Sequence, residues 1–378
     1  MGMETNFATL GILPVLVTNL EKSNILVPTQ IQTETIPVIL QNSDLIAVAQ
    51  TGSGKTLAYL LPILTRLQSN SLSRAVVLSP TRETAEQIHR VFKEISAGLT
   101  ISSCVAVTGV PVATQNKELK KNPRLIVATP GRLHEHLQAN KLLLKGLDLL
   151  VIDEADRILS MGFDQQLKFI QSTLRGERQT MLFAATFNKD AEPIAKLFMK
   201  PDAVMIRSTA AGAPVETLNQ KVYFMKAGQK ENQLLDEVRK AKGGVIVFSD
   251  NQEGCVALGR LLAHHQFASE FVHGDMNPGH RNRILREFRE GKIQIMVTTD
   301  LLARGLDEPS IKYVISFDLP YKAEDFLHRI GRTARAGREG TAITFVTPSD
   351  GRTFRKMKNY LTGAKEEKLT SNFEFVDR

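Results

Sequence analysis

Short apolar runs, most of them rich in β-branched residues, recur along this chain and are separated by stretches with helical spacing. In the first half they lie at 44–49, 74–78, 124–128, 149–152 and 179–183. Near-continuous apolar runs of this length suit strands buried on both faces, as in a parallel sheet covered by helices. Between them, residues 56–68 and 85–97 repeat apolar side chains at helical intervals. The pattern then restarts, with strand-like runs at 244–248, 294–298, 313–316 and 340–346 and helical stretches at 253–265 and 278–289. Strand alternating with helix, twice over, predicts an α/β protein of two tandem doubly wound parallel-sheet domains. Residues 208–214, Ser-Thr-Ala-Ala-Gly-Ala-Pro, contain no large apolar side chain and read as a linker between domains at 1–207 and 215–378.

A length of 378 residues agrees with two cores rather than one. The net charge of +8, shared by both halves, leans toward a polyanionic partner. Cys104 and Cys255 are too few and too far apart for a disulfide framework or a metal knuckle, so a reducing compartment is expected. His134 and His136 are weak metal candidates and read as residues of an ordinary helix surface. No run approaches the ~20 apolar residues that span a bilayer, and the first residues lack a signal-peptide pattern. A cytoplasmic monomer with no membrane partner is the expectation.

Residues 49–56, Ala-Gln-Thr-Gly-Ser-Gly-Lys-Thr, follow a strand-like run and open a helical one. That is the context of a phosphate-binding loop. Gly52 and Gly54 allow the backbone of Thr51, Ser53 and their neighbours to turn N–H groups toward phosphate oxygens. The helix start adds its positive dipole end. Lys55 can reach the β and γ phosphates, and the Thr56 hydroxyl can hold Mg²⁺. The strict pattern opens with Gly where this chain has Ala49. Further on, residues 149–156, Leu-Leu-Val-Ile-Asp-Glu-Ala-Asp, put acids at the end of a buried strand. In a parallel sheet that end shares an edge with the phosphate loop. Asp153 is expected to hold Mg²⁺ and Glu154 to polarise the attacking water.

Taken together, Asp153-Glu-Ala-Asp156 and the loop at 49–56 resemble the DEAD-box ATP-dependent RNA helicases, and further motifs of that family follow in order over almost the whole chain. The resemblance implies two RecA-like domains, ATP and Mg²⁺ as cofactors, and RNA as partner. It implies that Gln32 in Pro28-Thr-Gln-Ile-Gln32 reads the adenine edge and that Phe7 stacks on the base. The usual Gly-Phe opening of that motif is Asn24-Ile25 here. Pro80, Thr81 and Arg82, Gly109, and Thr129, Pro130, Gly131 and Arg132 resemble the RNA contacts of the first lobe, with Val110 in place of a second Gly. Thr hydroxyls, Gly amides and Arg forks grip a phosphate backbone without reading bases. Ala184, Thr186, Asp156 and His328 match positions that couple hydrolysis to strand separation, although Ala184 replaces the family's Ser.

In the second half, Phe248-Ser249 and His273-Gly274-Asp275 match family motifs. By the same resemblance His273, Gly274, Arg281, Thr299 and Arg304 serve RNA, while Gly305 and Asp307 reach the nucleotide. Pro278 stands where the family has Gln. In His328-Arg-Ile-Gly-Arg-Thr-Ala-Arg335 the resemblance implies that Arg332 and Arg335 stabilise the γ-phosphate as arginine fingers, with Ala334 in place of Gly. Expected activities are RNA-stimulated hydrolysis of ATP and local separation of short RNA duplexes or remodelling of RNA–protein complexes, with little sequence preference. Two rivals stand beside this reading: a DNA translocase of the same superfamily, and an ATP-gated RNA clamp that rarely unwinds.

Overall fold

Runs of Leu, Ile, Val and Ala with no polar interruption build the middle of each sheet. A computed structural model describes residues 6–50, 52–187, 191–208, 217–300, 310–334, 339–361, 363–370 and 373–376. The chain divides into two compact units, Met1–Ala211 and Gly212–Arg378.

In the first unit β1 (Leu45–Val48), β2 (Ala75–Leu78), β4 (Leu125–Ala128), β5 (Leu149–Ile152) and β6 (Gln179–Ala184) are buried at every position. β3 (Ser103–Ala106) and β7 (Val204–Arg207) form the edges of a sheet in the order β3-β4-β2-β5-β6-β1-β7. All its pairs are parallel. Successive residues of a strand point to opposite faces, and β1 shows the result. Leu45 and Ala47 join one apolar core, while Ile46 and Val48 join the other. The crossover helices Lys55–Ser69 and Arg82–Ile95 cover one face, and Pro130–Ala139 and Asp164–Thr173 cover the other.

The register aligns the strand ends. Val48 lies beside Ala184, Leu78 beside both Ala128 and Ile152, and Ile152 beside Leu182. The segments that follow these strands therefore leave one edge of the sheet together.

The second unit contains β8 (Leu218–Phe224), β9 (Gly244–Phe248), β10 (Ser269–Val272), β11 (Ile295–Thr298), β12 (Ile311–Ser316), β13 (Gly340–Val346) and β14 (Lys365–Lys368). Their order, β10-β11-β9-β12-β13-β8-β14, repeats that of the first sheet strand for strand, and again every pair is parallel.

Five strands were not foreseen: β3, β7, β8, β10 and β14. Four of them are sheet edges, where half-solvated residues replace the apolar run that marks a central strand. The expected linker lies outside the described residues except for Ser208. That residue is buried, and its N–H donates to Val48 O at 3.0 Å, so it extends the β7–β1 pairing.

Candidate active site

The loop after β1 is shaped by two left-handed glycines, Gly52 at φ 86° and Gly54 at φ 93°. A Cβ on Gly54 would lie 2.5 Å from Gln32 Nε2 and 3.0 Å from Thr29 Oγ1, so this position requires Gly for space as well as for its dihedral. Ser53 Oγ donates to Gln50 O at 2.8 Å. Lys55 opens the helix Lys55–Ser69, and its Nζ folds back over the loop, donating to Ala49 O at 2.5 Å and Gln50 O at 3.2 Å. An ammonium held on backbone carbonyls beside glycine-supported N–H groups is poised to exchange those carbonyls for phosphate oxygens. Thr56 follows it, half-buried. Thr51 lies outside the described residues.

Gln32 sits in the first turn of the helix Gln30–Leu40 and is 2% exposed. Its Oε1 accepts from Thr29 N at 2.9 Å and its Nε2 donates to Gly54 O at 3.0 Å. Thr29 Oγ1 donates to Ser53 O at 2.8 Å. The residue expected to read the base thus already ties that helix to the phosphate loop. One N–H and one lone pair of its amide remain for a ligand. Phe7 departs from the expectation of a stacking aromatic: it is 2% exposed and packs in the apolar core, so it presents no open ring face.

Beyond β5, Asp153 is buried among apolar strands. Tyr59 Oη donates to its Oδ2 at 2.9 Å, and Glu154 N donates to Oδ1 at 2.9 Å. Burial, and then the neighbouring Glu154, push the Asp153 carboxyl up to about 6, while Lys55 opposes the rise. Burial and the Asp153 carboxylate hold the Tyr59 phenol well above its ordinary value, so it remains a donor. Glu154 adopts φ 49°, a region that residues other than Gly seldom enter, and its carboxylate pairs with the Arg157 guanidinium.

Asp156 is pushed upward by burial. Its Oδ2 accepts from Thr186 N at 2.9 Å and Thr186 Oγ1 at 3.1 Å, while Oδ1 has no partner in the structure. Ala184 ends β6, fully buried. The link between the acidic motif and the segment after β6 therefore runs through Thr186.

A buried carboxylate and a hydroxyl on neighbouring strand and helix ends form a hard oxygen donor set. Among the described residues no three His, Cys, Asp or Glu side chains gather as a metal cage. Two protein oxygens that leave the remaining positions to phosphate and water suit Mg²⁺.

The same sheet edge carries the segments expected to touch RNA. Thr81 caps the helix Arg82–Ile95, accepting from Thr84 N at 3.2 Å, and Pro80 beside it is buried. A Cβ on Gly109, φ 84°, would lie 2.8 Å from Arg82 Nη1. Arg82 is half-buried and held by Glu86 at 2.7 Å. Arg132 Nη1 donates to Val110 O at 3.0 Å, and its Nε lies 3.2 Å from Glu135. Three segments distant in sequence are thus joined through Arg82, Gly109, Val110 and Arg132, with Thr129 and Pro130 buried at the start of the helix Pro130–Ala139 and Gly131 half-buried after them. The expected surface histidine pair is corrected. His136 is buried, with Nε2 2.9 Å from Gln115 Oε1, and His134 packs edge-on to Phe169.

In the second unit the edge residues converge on Arg329, which sequence reasoning passed over in favour of its neighbours. Arg329 is 1% exposed and forms a bidentate pair with Asp300 at 2.6 and 2.7 Å. It also donates to Asp318 O, and its guanidinium lies 4.9 Å from the Phe248 ring centroid. Asp318 in turn accepts from Ser249 Oγ at 3.0 Å and from Lys230 Nζ at 2.5 Å. His328 and Arg332 are buried in the same segment, and Arg332 Nε donates to His328 O at 2.9 Å. His273 stacks parallel to Phe271, with ring centroids 6.0 Å apart, while Gly274, Arg281 and Thr299 are half-buried. Arg304, Gly305, Asp307 and Arg335 lie outside the described residues.

Sequence reasoning also missed Tyr59 and Arg157. An aromatic inside an apolar helix and an Arg after three acids carry no signal until the fold places them beside those acids.

Comparison with known proteins agrees with this geometry. A family model described as DEAD/DEAH box helicase matches residues 29–194, and one described as helicase conserved C-terminal domain matches 229–337. The chain is 37% identical to DEAD-box ATP-dependent RNA helicase 20 of Arabidopsis thaliana over 96% of its own length and 74% of the relative's. It is 38% identical to the DEAD-box ATP-dependent RNA helicase CshA of Geobacillus kaustophilus over 92% of its own length and 74% of the relative's. Among solved structures, S. cerevisiae Dbp5 bound to RNA and ADP BeF3 superposes with a TM-score of 0.83 at 29% identity, covering 96% of this chain and 95% of that one. With two parallel sheets of matching strand order, an acidic strand end beside a glycine-rich loop, and these relatives, the chain belongs to the DEAD-box ATP-dependent RNA helicases.

Proposed function

We propose that this protein couples RNA-stimulated hydrolysis of ATP to the local separation of short RNA duplexes or the remodelling of RNA–protein complexes. The observation that carries this reading is the run of contacts along one sheet edge. Gln32 is tied to the phosphate loop, Asp153 feels the charges of both Glu154 and Lys55, and Asp156 is bonded to Thr186. In this reading Gln32 selects ATP over GTP. Thr51, Gly52, Ser53, Gly54, Lys55 and Thr56 bind the phosphates, Gly305 and Asp307 reach the nucleotide, and Glu154 orients the attacking water. Thr56 and Asp153 hold Mg²⁺, which when bound neutralises charge on the β and γ phosphates. Arg332 and Arg335 stabilise charge developing on the γ-phosphate, so hydrolysis requires residues from both halves of the chain.

RNA is gripped through its backbone by Thr81, Arg82, Gly109, Thr129, Gly131 and Arg132 in the first half and by His273, Arg281, Thr299 and Arg304 in the second. Such contacts read shape and the 2′-OH rather than sequence. Both cysteines are free and buried, and no described helix is long and apolar enough to cross a membrane. We place the protein in the cytoplasm, acting as a monomer.

The test is ATP turnover with and without single-stranded RNA or DNA, together with displacement of a short RNA duplex. RNA-specific stimulation and displacement are expected; equal stimulation by DNA would contradict the reading. Displacement failing despite RNA-stimulated turnover would favour an RNA clamp. The missing hydroxyl at Ala184 lends that alternative its footing, but the two bonds from Thr186 to Asp156 weigh against it.

A further inference from the structure

The helix Lys55–Ser69 carries eight buried residues, and all but one of them are wholly apolar in the positions they fill. The exception is Tyr59. Its side chain is fully buried, its ring centroid lies 5.2 Å from that of Phe183, and it belongs to the apolar core on that face of the sheet. A phenylalanine would supply the same ring contact. What tyrosine adds is one hydroxyl, and that hydroxyl reaches the acidic strand end, donating to Asp153 Oδ2 at 2.9 Å. Thr56 lies three residues earlier on the same helix, which puts it on the same face as Tyr59. The phenol thus meets the carboxylate from the helix face that also carries the hydroxyl Mg²⁺ would use.

The second oxygen of Asp153 is also occupied, since Oδ1 accepts from Glu154 N at 2.9 Å. One donor on each oxygen fixes the plane of the carboxylate. The lone pairs left over then keep a single orientation before any ligand arrives. A carboxylate without the phenol would be held by one donor and would have to be ordered by the cation itself. Groups that orient a metal-binding side chain in this way typically contribute tenfold to a hundredfold in metal affinity.

We propose that Tyr59 is a positioning residue for the divalent-cation site, its hydroxyl holding Asp153 in the orientation that binds Mg²⁺ against the nucleotide phosphates. This rests on the assignment of Asp153 and Thr56 to Mg²⁺ made above. A tyrosine serving only to fill the core gives a different expectation, since removal of its hydroxyl would alter stability and leave cation binding untouched.

The experiment uses the full-length chain with ADP and Mn²⁺, free Mn²⁺ being counted by electron paramagnetic resonance, beside a thermal melt of each variant. Tyr59→Phe is expected to weaken Mn²⁺ binding to the ADP complex about tenfold. Its metal-free affinity for ADP is expected to stay close to that of the parent, and its melting temperature to fall by only a few degrees, as loss of one buried hydrogen bond requires. Asp153→Asn is expected to weaken Mn²⁺ binding further. Unchanged Mn²⁺ binding by Tyr59→Phe, with Asp153→Asn impaired, overturns the role of Tyr59 and leaves the cation assignment standing. Unchanged binding in both variants overturns the cation assignment and the proposal with it. A Tyr59→Phe protein that melts lower but binds Mn²⁺ normally makes the hydroxyl a packing partner only, which also overturns the proposal.

Discussion

Gln32 Nε2 donates to the carbonyl oxygen of Gly54 at 3.0 Å, so the helix expected to meet the base holds the loop expected to meet the phosphates. Gln32→Ala removes this bond and the one to Thr29 N. At about 1 kcal/mol for each bond, affinity for ATP falls at least about tenfold. Gly54→Ala is expected to do more damage, because the new Cβ meets Gln32 Nε2 at 2.5 Å from a backbone at φ 93°. Equilibrium titration with a fluorescent ATP analogue measures both losses. Unaltered affinity in Gln32→Ala would remove the residue from nucleotide binding.

Glu154 follows Asp153 at the strand end, and its charge helps push that carboxyl upward. Glu154→Gln keeps the shape and the left-handed backbone of this residue while removing the charge proposed to orient water. Binding of ATP and of RNA is expected to persist, and single-turnover hydrolysis to fall by about a hundredfold or more. Turnover near the parent rate would exclude Glu154 from the chemistry.

Arg329 is the buried hub of the second unit, and its truncation strands Asp300 without its bidentate partner. Arg329→Ala is expected to destabilise that unit by about 3 kcal/mol, read as a lower thermal transition. Arg329→Lys should recover little of the loss, since an ammonium cannot make the forked contact. Full recovery by Lys would show that charge alone matters there.

His136 gives the first unit a sensitivity to acid. Burial, with Arg132 adding to it, holds its imidazole below the usual value, and Glu135 opposes the shift only in part. Nε2 faces Gln115 Oε1 at 2.9 Å, and Nδ1 is buried without a partner, so a second proton would place an unsatisfied N–H in the interior. Because the folded state binds this proton less well than the unfolded chain, the contribution is full above about pH 6.5 and is lost as pH falls through the lowered value. Melting temperature is expected to drop between neutral pH and pH 5, and to drop less in His136→Gln. Equal slopes for the two proteins would assign the acid sensitivity elsewhere.

The central strands were readable because burial on both faces writes itself as an unbroken apolar run. β5 and β9 match their runs residue for residue, β2 and β4 differ by one residue at one end, and β1 by one residue at each end. The edges were not readable. β14, Lys-Glu-Glu-Lys, is exposed throughout and takes its conformation from β8 beside it rather than from its own side chains. Charges of that kind protect an edge from pairing with another chain. The same division separates the site residues. Lys55, Asp153 and Gln32 were legible because a glycine loop, an acidic strand end and a family motif announce them. Arg329, Tyr59 and Gln115 depend on partners 29, 94 and 21 residues away in the chain, and no local pattern encodes such distances.

The placement of β1 has a consequence for how the protein is made. Among the described residues its neighbours in the sheet are β6 and β7, so Leu45 must wait for Met181 and Val204 before it is flanked on both sides. At ordinary ribosomal speeds that delay is on the order of ten seconds. Through that interval the Gly-Ser-Gly-Lys-Thr segment hangs from an unpaired strand and cannot hold a nucleotide. A loop translated early is thus among the last parts of the first unit to gain its support, and a nascent chain lacks that support until nearly all of the unit has emerged.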